Sequence, residues 1–84
     1  MEDLKLFKCQ DFYQSVILKT LGYPLIRLEK AGERFVVFLF EVSEKEADEV
    51  LGEYWNRNLM VNARDLVENI NELKSRIHEK LKEF

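Results

Sequence analysis

Residues 34–42 read Arg-Phe-Val-Val-Phe-Leu-Phe-Glu-Val and include the longest apolar run of the chain, residues 35–40. Successive side chains of a β-strand point to opposite faces, so this segment predicts a strand that is apolar on both faces. A strand of this kind is typically covered on both sides, and we expect helices against one face and a neighbouring element against the other. The run is far shorter than the roughly 20 residues that span a bilayer.

The segment before this strand predicts a hairpin partner for it. Residues 25–30 place Ile26 and Leu28 on one face, and Ala31 and Gly32 form the turn that separates the two strands. Residues 4–7 alternate loosely and are compatible with a short third strand at the edge. A hairpin alone is marginal in water, so helices must cover it.

Three helices are predicted around this hairpin. The first covers residues 11–21 and ends before Gly22 and Pro24, the second covers residues 44–56, and the third runs from residue 63 to near the C-terminus. Ser43, with Glu46 three residues later, and Asn62 are the expected N-caps of the second and third helices. Helical spacing predicts these buried positions: Phe12, Tyr13, Val16, Ile17 and Leu21; Ala47, Val50, Leu51, Tyr54 and Trp55; Leu66, Val67, Ile70, Leu73, Ile77, Leu81 and Phe84.

The predicted fold is therefore a single α+β domain over residues 1–84, in the order α-β-β-α-α. An antiparallel hairpin, with an optional short N-terminal strand, is covered by three helices, of which the last is long. The 84 residues allow one core and no second domain.

The composition limits the classes of function. With 13 basic and 16 acidic residues the net charge is -3, which gives no general attraction to nucleic acids or anionic membranes. The single cysteine, Cys9, excludes an internal disulfide and cysteine-rich zinc sites. The N-terminus has no secretion signal, so we expect a cytoplasmic protein without membrane contact.

No catalytic motif is present. The only histidine, His78, lies off the apolar stripe of the last helix, far along the chain from Cys9. There is no glycine-rich phosphate loop and no nucleophile motif. The carboxylates of the second helix, Glu44, Asp48, Glu49 and Glu53, fall on its outer face, where solvation accounts for them. We expect no enzyme activity, metal site, cofactor or small-molecule substrate.

A whole-chain resemblance appears when the short motifs are read together. They are Phe-Lys-Cys-Gln-Asp-Phe-Tyr at residues 7–13, Glu-Tyr-Trp-Asn at 53–56, Asn-Ala-Arg at 62–64 and Leu-Lys-Ser-Arg-Ile at 73–77. The chain resembles a family of small bacterial, archaeal and phage domains of unknown function that share a Tyr-Trp-Asn segment and a closing leucine-rich helix. The resemblance implies a fold and no activity. It also implies a glycine after Asn56, where this chain has Arg57.

Two surfaces are candidates for binding. Residues 54–58 combine two aromatic rings with an arginine, which predicts either a core anchor with a shaped turn or a contact surface for a protein or a nucleobase. Basic residues late in the chain complement a helix dipole or, in the other interpretation, follow a phosphate backbone. The candidate binding residues are Tyr54, Trp55, Arg57, Arg64, Lys74 and Arg76.

The last helix is the candidate for self-association. At about 1.5 Å per residue it is roughly 30 Å long, about the width of the domain, so its last turns are expected to overhang. The residues available to a second copy are Ile77, Leu81 and Phe84. The leading hypothesis is thus a non-enzymatic protein-interaction module that forms a homodimer. The alternative is a small nucleic-acid-binding or regulatory protein of a phage or mobile element.

Overall fold

The computed structural model describes residues 5–82 and confirms an α+β fold. The elements are β1 (Leu6–Cys9), α1 (Phe12–Thr20), β2 (Leu25–Lys30), β3 (Val36–Glu41), α2 (Glu44–Trp55) and α3 (Ala63–Leu81). The expected N-terminal strand is present, but it occupies Leu6–Cys9 and not residues 4–7, of which Leu4 lies outside the described residues. The described helices include none with the length and apolarity needed to cross a membrane.

The strands form one antiparallel sheet in the order β1-β3-β2, so the apolar strand β3 lies in the middle. Phe38 is aligned with Cys9 on one side and with Leu28 on the other. Directly aligned residues share a face, so Val36, Phe38 and Phe40 lie on one face of the sheet, and Val37 and Leu39 lie on the other.

The helices pack on one of these faces, as expected. One core cluster joins Val36, Phe38 and Phe40 to residues of all three helices, whereas Val37 and Leu39 are outside it. The domain is accordingly thin, 19 Å in its shortest dimension, as two layers require.

Val37 and Leu39 are nevertheless only 8% and 1% exposed. The register places Lys8 and Arg27 on either side of Leu39, and it places Glu29 beside Val37. Arg27 and Glu29 form an ion pair of 2.9 Å along this face. Long side chains of the flanking strands thus lie beside the central apolar ones where no helix or strand of residues 5–82 does.

The helical layer is held by a small set of buried residues. Its fully buried members include Val16 and Leu18 of α1, Ala47 of α2 and Leu73 of α3. Ile77 and Leu81 also pack against this cluster, so α3 lies on the domain as far as Leu81 and does not overhang there. Phe84 lies outside the described residues.

Four residues that helical spacing predicted to be buried are exposed. Trp55 is 67% exposed, Tyr13 58%, Val67 53% and Leu21 36%. Tyr13 and Val67 lie at the margins of the apolar stripes of their helices, and Trp55 and Leu21 lie at helix ends. The small core reaches none of these positions fully.

The predicted N-caps are confirmed. The Ser43 hydroxyl accepts from the Glu46 amide at 3.1 Å, and the Asn62 side chain accepts from the Asp65 amide at 3.0 Å. The Glu46 carboxylate accepts a hydrogen bond of 2.7 Å from the Tyr23 hydroxyl, so it links α2 to the loop before β2.

Two helices end in the same backbone motif. After α1 the Tyr23 amide bonds the Leu18 carbonyl and the Gly22 amide bonds the Lys19 carbonyl, with Gly22 at φ +98°. After α2 the Asn58 amide bonds the Glu53 carbonyl in the same way, and Arg57 takes the glycine position at φ 65°. Arg57 therefore has the left-handed backbone that glycine adopts at least cost.

We predict that Arg57→Gly stabilises the domain by about 0.5–1 kcal/mol, because it removes the steric cost of a side chain in the left-handed region. The measurement is the midpoint of urea unfolding at an unchanged slope.

Gly22→Ala is the matched control and should destabilise the domain by about 1 kcal/mol. The Cβ added there meets nothing within 4 Å, so only the backbone contributes. A loss of stability in Arg57→Gly would show that the arginine side chain makes a net favourable contribution to the fold.

Candidate functional site

A groove lies between the edge strand β2 and the C-terminal half of α3. Its lining consists of Ile26, Arg27 and Leu28 from β2 together with Ser75, Arg76, Glu79 and Lys80 from α3, and its volume is about 360 Å³. We call it the α3–β2 groove. Ile26 is 37% exposed in it, so an apolar side chain faces solvent beside charged ones.

A β-bulge shapes the groove. Leu25 is aligned with Phe40 and Arg27 with Leu39, so Ile26 is an extra residue on β2. Leu25 packs against the core, and Leu28 is buried in it. The sequence indicated that Ile26 and Leu28 share a face. Ile26 and Leu28 both line the groove, but nothing in the local residue pattern marks the bulge between Leu25 and Arg27.

The α3–β2 groove carries both signs of charge. Arg27 pairs with Glu29 at 2.9 Å, and Arg76 lies 3.8 Å from Glu72, which also pairs with Lys19 at 3.4 Å. The side chains of these pairs are partly solvent-exposed, so each pair contributes little to stability. The lining itself has the basic residues Arg27, Arg76 and Lys80 and the acidic residue Glu79.

The segment between α2 and α3 presents a second exposed surface. Trp55 is 67% and Met60 86% exposed, and Arg57 between them is also exposed. Tyr54, in contrast, packs against the core, and its ring contacts Trp55 edge-on at 5.4 Å. The core-anchor interpretation therefore holds for Tyr54 and is wrong for Trp55. Aromatic, methionine and arginine side chains are the usual chemistry of protein interfaces.

The basic candidate residues do not form one continuous patch. Arg64 is at the start of α3 and pairs with Glu68 at 3.0 Å, whereas Lys74 is ten residues further along, about 15 Å on a helix. Arg76 lies at the α3–β2 groove and Arg57 in the loop after α2. The structure therefore spreads the residues proposed for phosphate contact over separate regions.

Cys9 and His78 do not form a catalytic pair. Cys9 is 2% exposed on β1, and its thiol donates to the Asp11 carbonyl at 3.4 Å, whereas His78 is exposed on α3. Burial raises the pKa of the Cys9 thiol above its ordinary value of 9.0. The thiol is therefore neutral at physiological pH and is a poor nucleophile.

No metal-binding arrangement occurs within residues 5–82, since no three His, Cys, Asp or Glu side chains converge there. The acidic residues of α2 are exposed on its outer face, as its helical spacing indicated.

The family of this chain follows from its match over almost the entire domain. A family model described as a domain of unknown function, DUF5659, matches residues 4–79. The chain belongs to this family. Comparisons with curated proteins and with solved structures gave no match. Membership in DUF5659 confirms the resemblance to a family of unknown function. The matched residues include the exposed segment 55–60 and the lining of the α3–β2 groove except Lys80.

We predict that the Cys9 thiol reacts slowly with a disulfide reagent at pH 8 in the folded domain and rapidly in urea, since the folded thiol is both buried and neutral. A fast reaction in the folded state would contradict the burial of Cys9.

The same raised pKa predicts that alkali destabilises the fold. Above about pH 9 the unfolded thiol ionises while the folded thiol keeps its proton, so the unfolded state binds fewer protons and the free energy of unfolding falls as pH rises. Cys9→Ala should reduce this fall, as measured by urea unfolding between pH 8 and pH 10.

We predict that Trp55→Ala changes the free energy of unfolding by about 0.5 kcal/mol or less, because its side chain is mostly in solvent. Tyr54→Ala, at the neighbouring residue that packs on the core, is the matched control and should cost about 2 kcal/mol. Circular dichroism during urea unfolding measures both. A large loss in Trp55→Ala would place the indole in the core.

Proposed function

We propose that this domain is a non-enzymatic protein-interaction module that self-associates through the side of α3 bordering β2. The observation that carries the proposal is the α3–β2 groove, where an edge strand and a long helix leave an apolar side chain, Ile26, exposed between charged ones. Main-chain groups at a sheet edge and an open helix side are surfaces that other chains bind.

The position of α3 defines which of its residues are available. Ile77 and Leu81 are partly buried against the core and contribute only their remaining surface. Ser75 and Glu79 are exposed and line the groove. A second copy therefore contacts the groove side of α3 more extensively than its apolar stripe.

Charge supports a copy of this chain as the partner. A dimer about a two-fold axis requires a surface that complements itself, with positive groups opposite negative ones. The groove side of α3 has Arg76 and Lys80 beside Glu79. The basic residues proposed for nucleic-acid contact offer no comparable continuous surface, so a protein partner is the better-supported proposal.

We expect sedimentation at tens of micromolar to give twice the 10.1 kDa chain mass. Ser75→Trp should weaken self-association at least about tenfold, because a large side chain on the groove side prevents close packing of two surfaces.

Lys74→Trp is the matched control, since Lys74 is exposed on α3 and does not line the groove. It should leave the dissociation constant unchanged. A monomeric wild type would refute the proposed function, and equal effects of the two variants would refute the groove side of α3 as the contact.

A further inference from the structure

Strand β2 is an edge of the sheet, and the pattern of its hydrogen bonds shows which main-chain groups face outward. The Ala31 amide donates a hydrogen bond to the Phe35 carbonyl at 3.1 Å, and the Glu41 amide donates one to the Pro24 carbonyl at 2.9 Å. Hydrogen-bonded and non-hydrogen-bonded pairs alternate along an antiparallel ladder. Arg27 and Glu29 therefore bond β3, and the amide and carbonyl of Leu28 point away from the sheet.

We propose, building on the self-association above, that a second copy of this chain adds to this edge. β2 pairs antiparallel with β2 of the second copy about a two-fold axis through Leu28. Two three-stranded sheets then become one six-stranded sheet, and the two Leu28 residues exchange both main-chain hydrogen bonds.

Charge selects this register over its neighbours. The side chains keep to their faces when the axis passes through a residue, and the axes nearest the middle of residues 26–30 pass through Arg27, Leu28 or Glu29. An axis at Arg27 sets two guanidinium groups opposite each other, and an axis at Glu29 sets two carboxylates opposite each other. An axis at Leu28 sets Arg27 opposite Glu29 of the second copy, twice. Opposite charges across strands are favourable, and like charges are destabilising.

The helices are compatible with the same axis. It places the groove sides of the two α3 helices next to each other, antiparallel, over the centre of the enlarged sheet. Ser75 is small enough for close approach there, and Arg76 and Glu79 supply both signs of charge. Ile26, 37% exposed in one chain, becomes covered.

The other edge strand does not offer this pairing. β1 has four residues, and Lys8 is its only charged one, so two copies of β1 have no carboxylate to set against the lysine. The bulge at Ile26 limits the new ladder to residues 26–30, which is the length of an ordinary strand.

The test uses two charge-reversal variants. Each is expected to lose self-association when alone and to regain association when mixed with the other. In a dimer of Arg27→Glu, residues 27 and 29 that face each other between the two copies are both glutamates. In a dimer of Glu29→Arg, both are arginines. Each variant should self-associate at least about tenfold more weakly than the wild type. Mixed in equal amounts, the two should form a heterodimer, measured by native mass spectrometry and sedimentation.

Recovery on mixing arises only between chains, because the ion pair within β2 is lost in both variants. Lys8→Glu, with the same change of charge on the other edge strand, is the control and should dimerise like the wild type. A wild type that dimerises while the mixture remains monomeric, or single variants that dimerise normally, would overturn the edge pairing and leave the proposed function intact. A monomeric wild type would overturn both.

The double variant Arg27→Glu/Glu29→Arg keeps the ion pair within β2 and provides a test should a single variant fail to fold. It should dimerise with itself as the wild type does. It should not pair with the wild type, because the mixed dimer sets like charges opposite each other. Free mixing of the two chains would overturn the register.

Discussion

Strand β3 pairs with both other strands and sends Val36, Phe38 and Phe40 into the cluster shared by the three helices. The rest of the domain is arranged around this packing. A middle strand with one neighbour on each side leaves two sheet edges, and a chain of 84 residues has few further elements to cover them. The open edge at β2 is therefore a direct consequence of the way the core is built.

The parts of the fold that the sequence predicted well depend on short-range chemistry. The side chains of Ser43 and Asn62 accept hydrogen bonds from amides three residues later. Gly22 adopts a left-handed backbone because it has no Cβ, whatever packs around it. Helical spacing also located the buried Ala47 and Leu73, because a long apolar stripe has only one side on which to pack. These features need no knowledge of distant residues.

The features that the sequence did not predict depend on how far the core extends. Periodicity placed Trp55 on the buried stripe of α2, but the core ends at its neighbour Tyr54. It also predicted a neighbouring element over Val37 and Leu39, whereas the register places Lys8, Arg27 and Glu29 beside them. The extra residue at Ile26 shifts the alignment of β2, and only the paired strand reveals it. The α3–β2 groove could not be located for the same reason.

The distribution of polar groups supports the proposal that this domain acts through its surface. Within residues 5–82 no buried side-chain nitrogen or oxygen lacks a hydrogen-bond partner, and the one buried thiol is neutral. The buried apolar residues of this part of the chain are used for packing. In the proposed dimer, recognition depends on exposed charges in a fixed order. Arginine and glutamate alternating along one face of an edge strand can favour one alignment of a partner strand and penalise the others, which gives specificity without an apolar pocket.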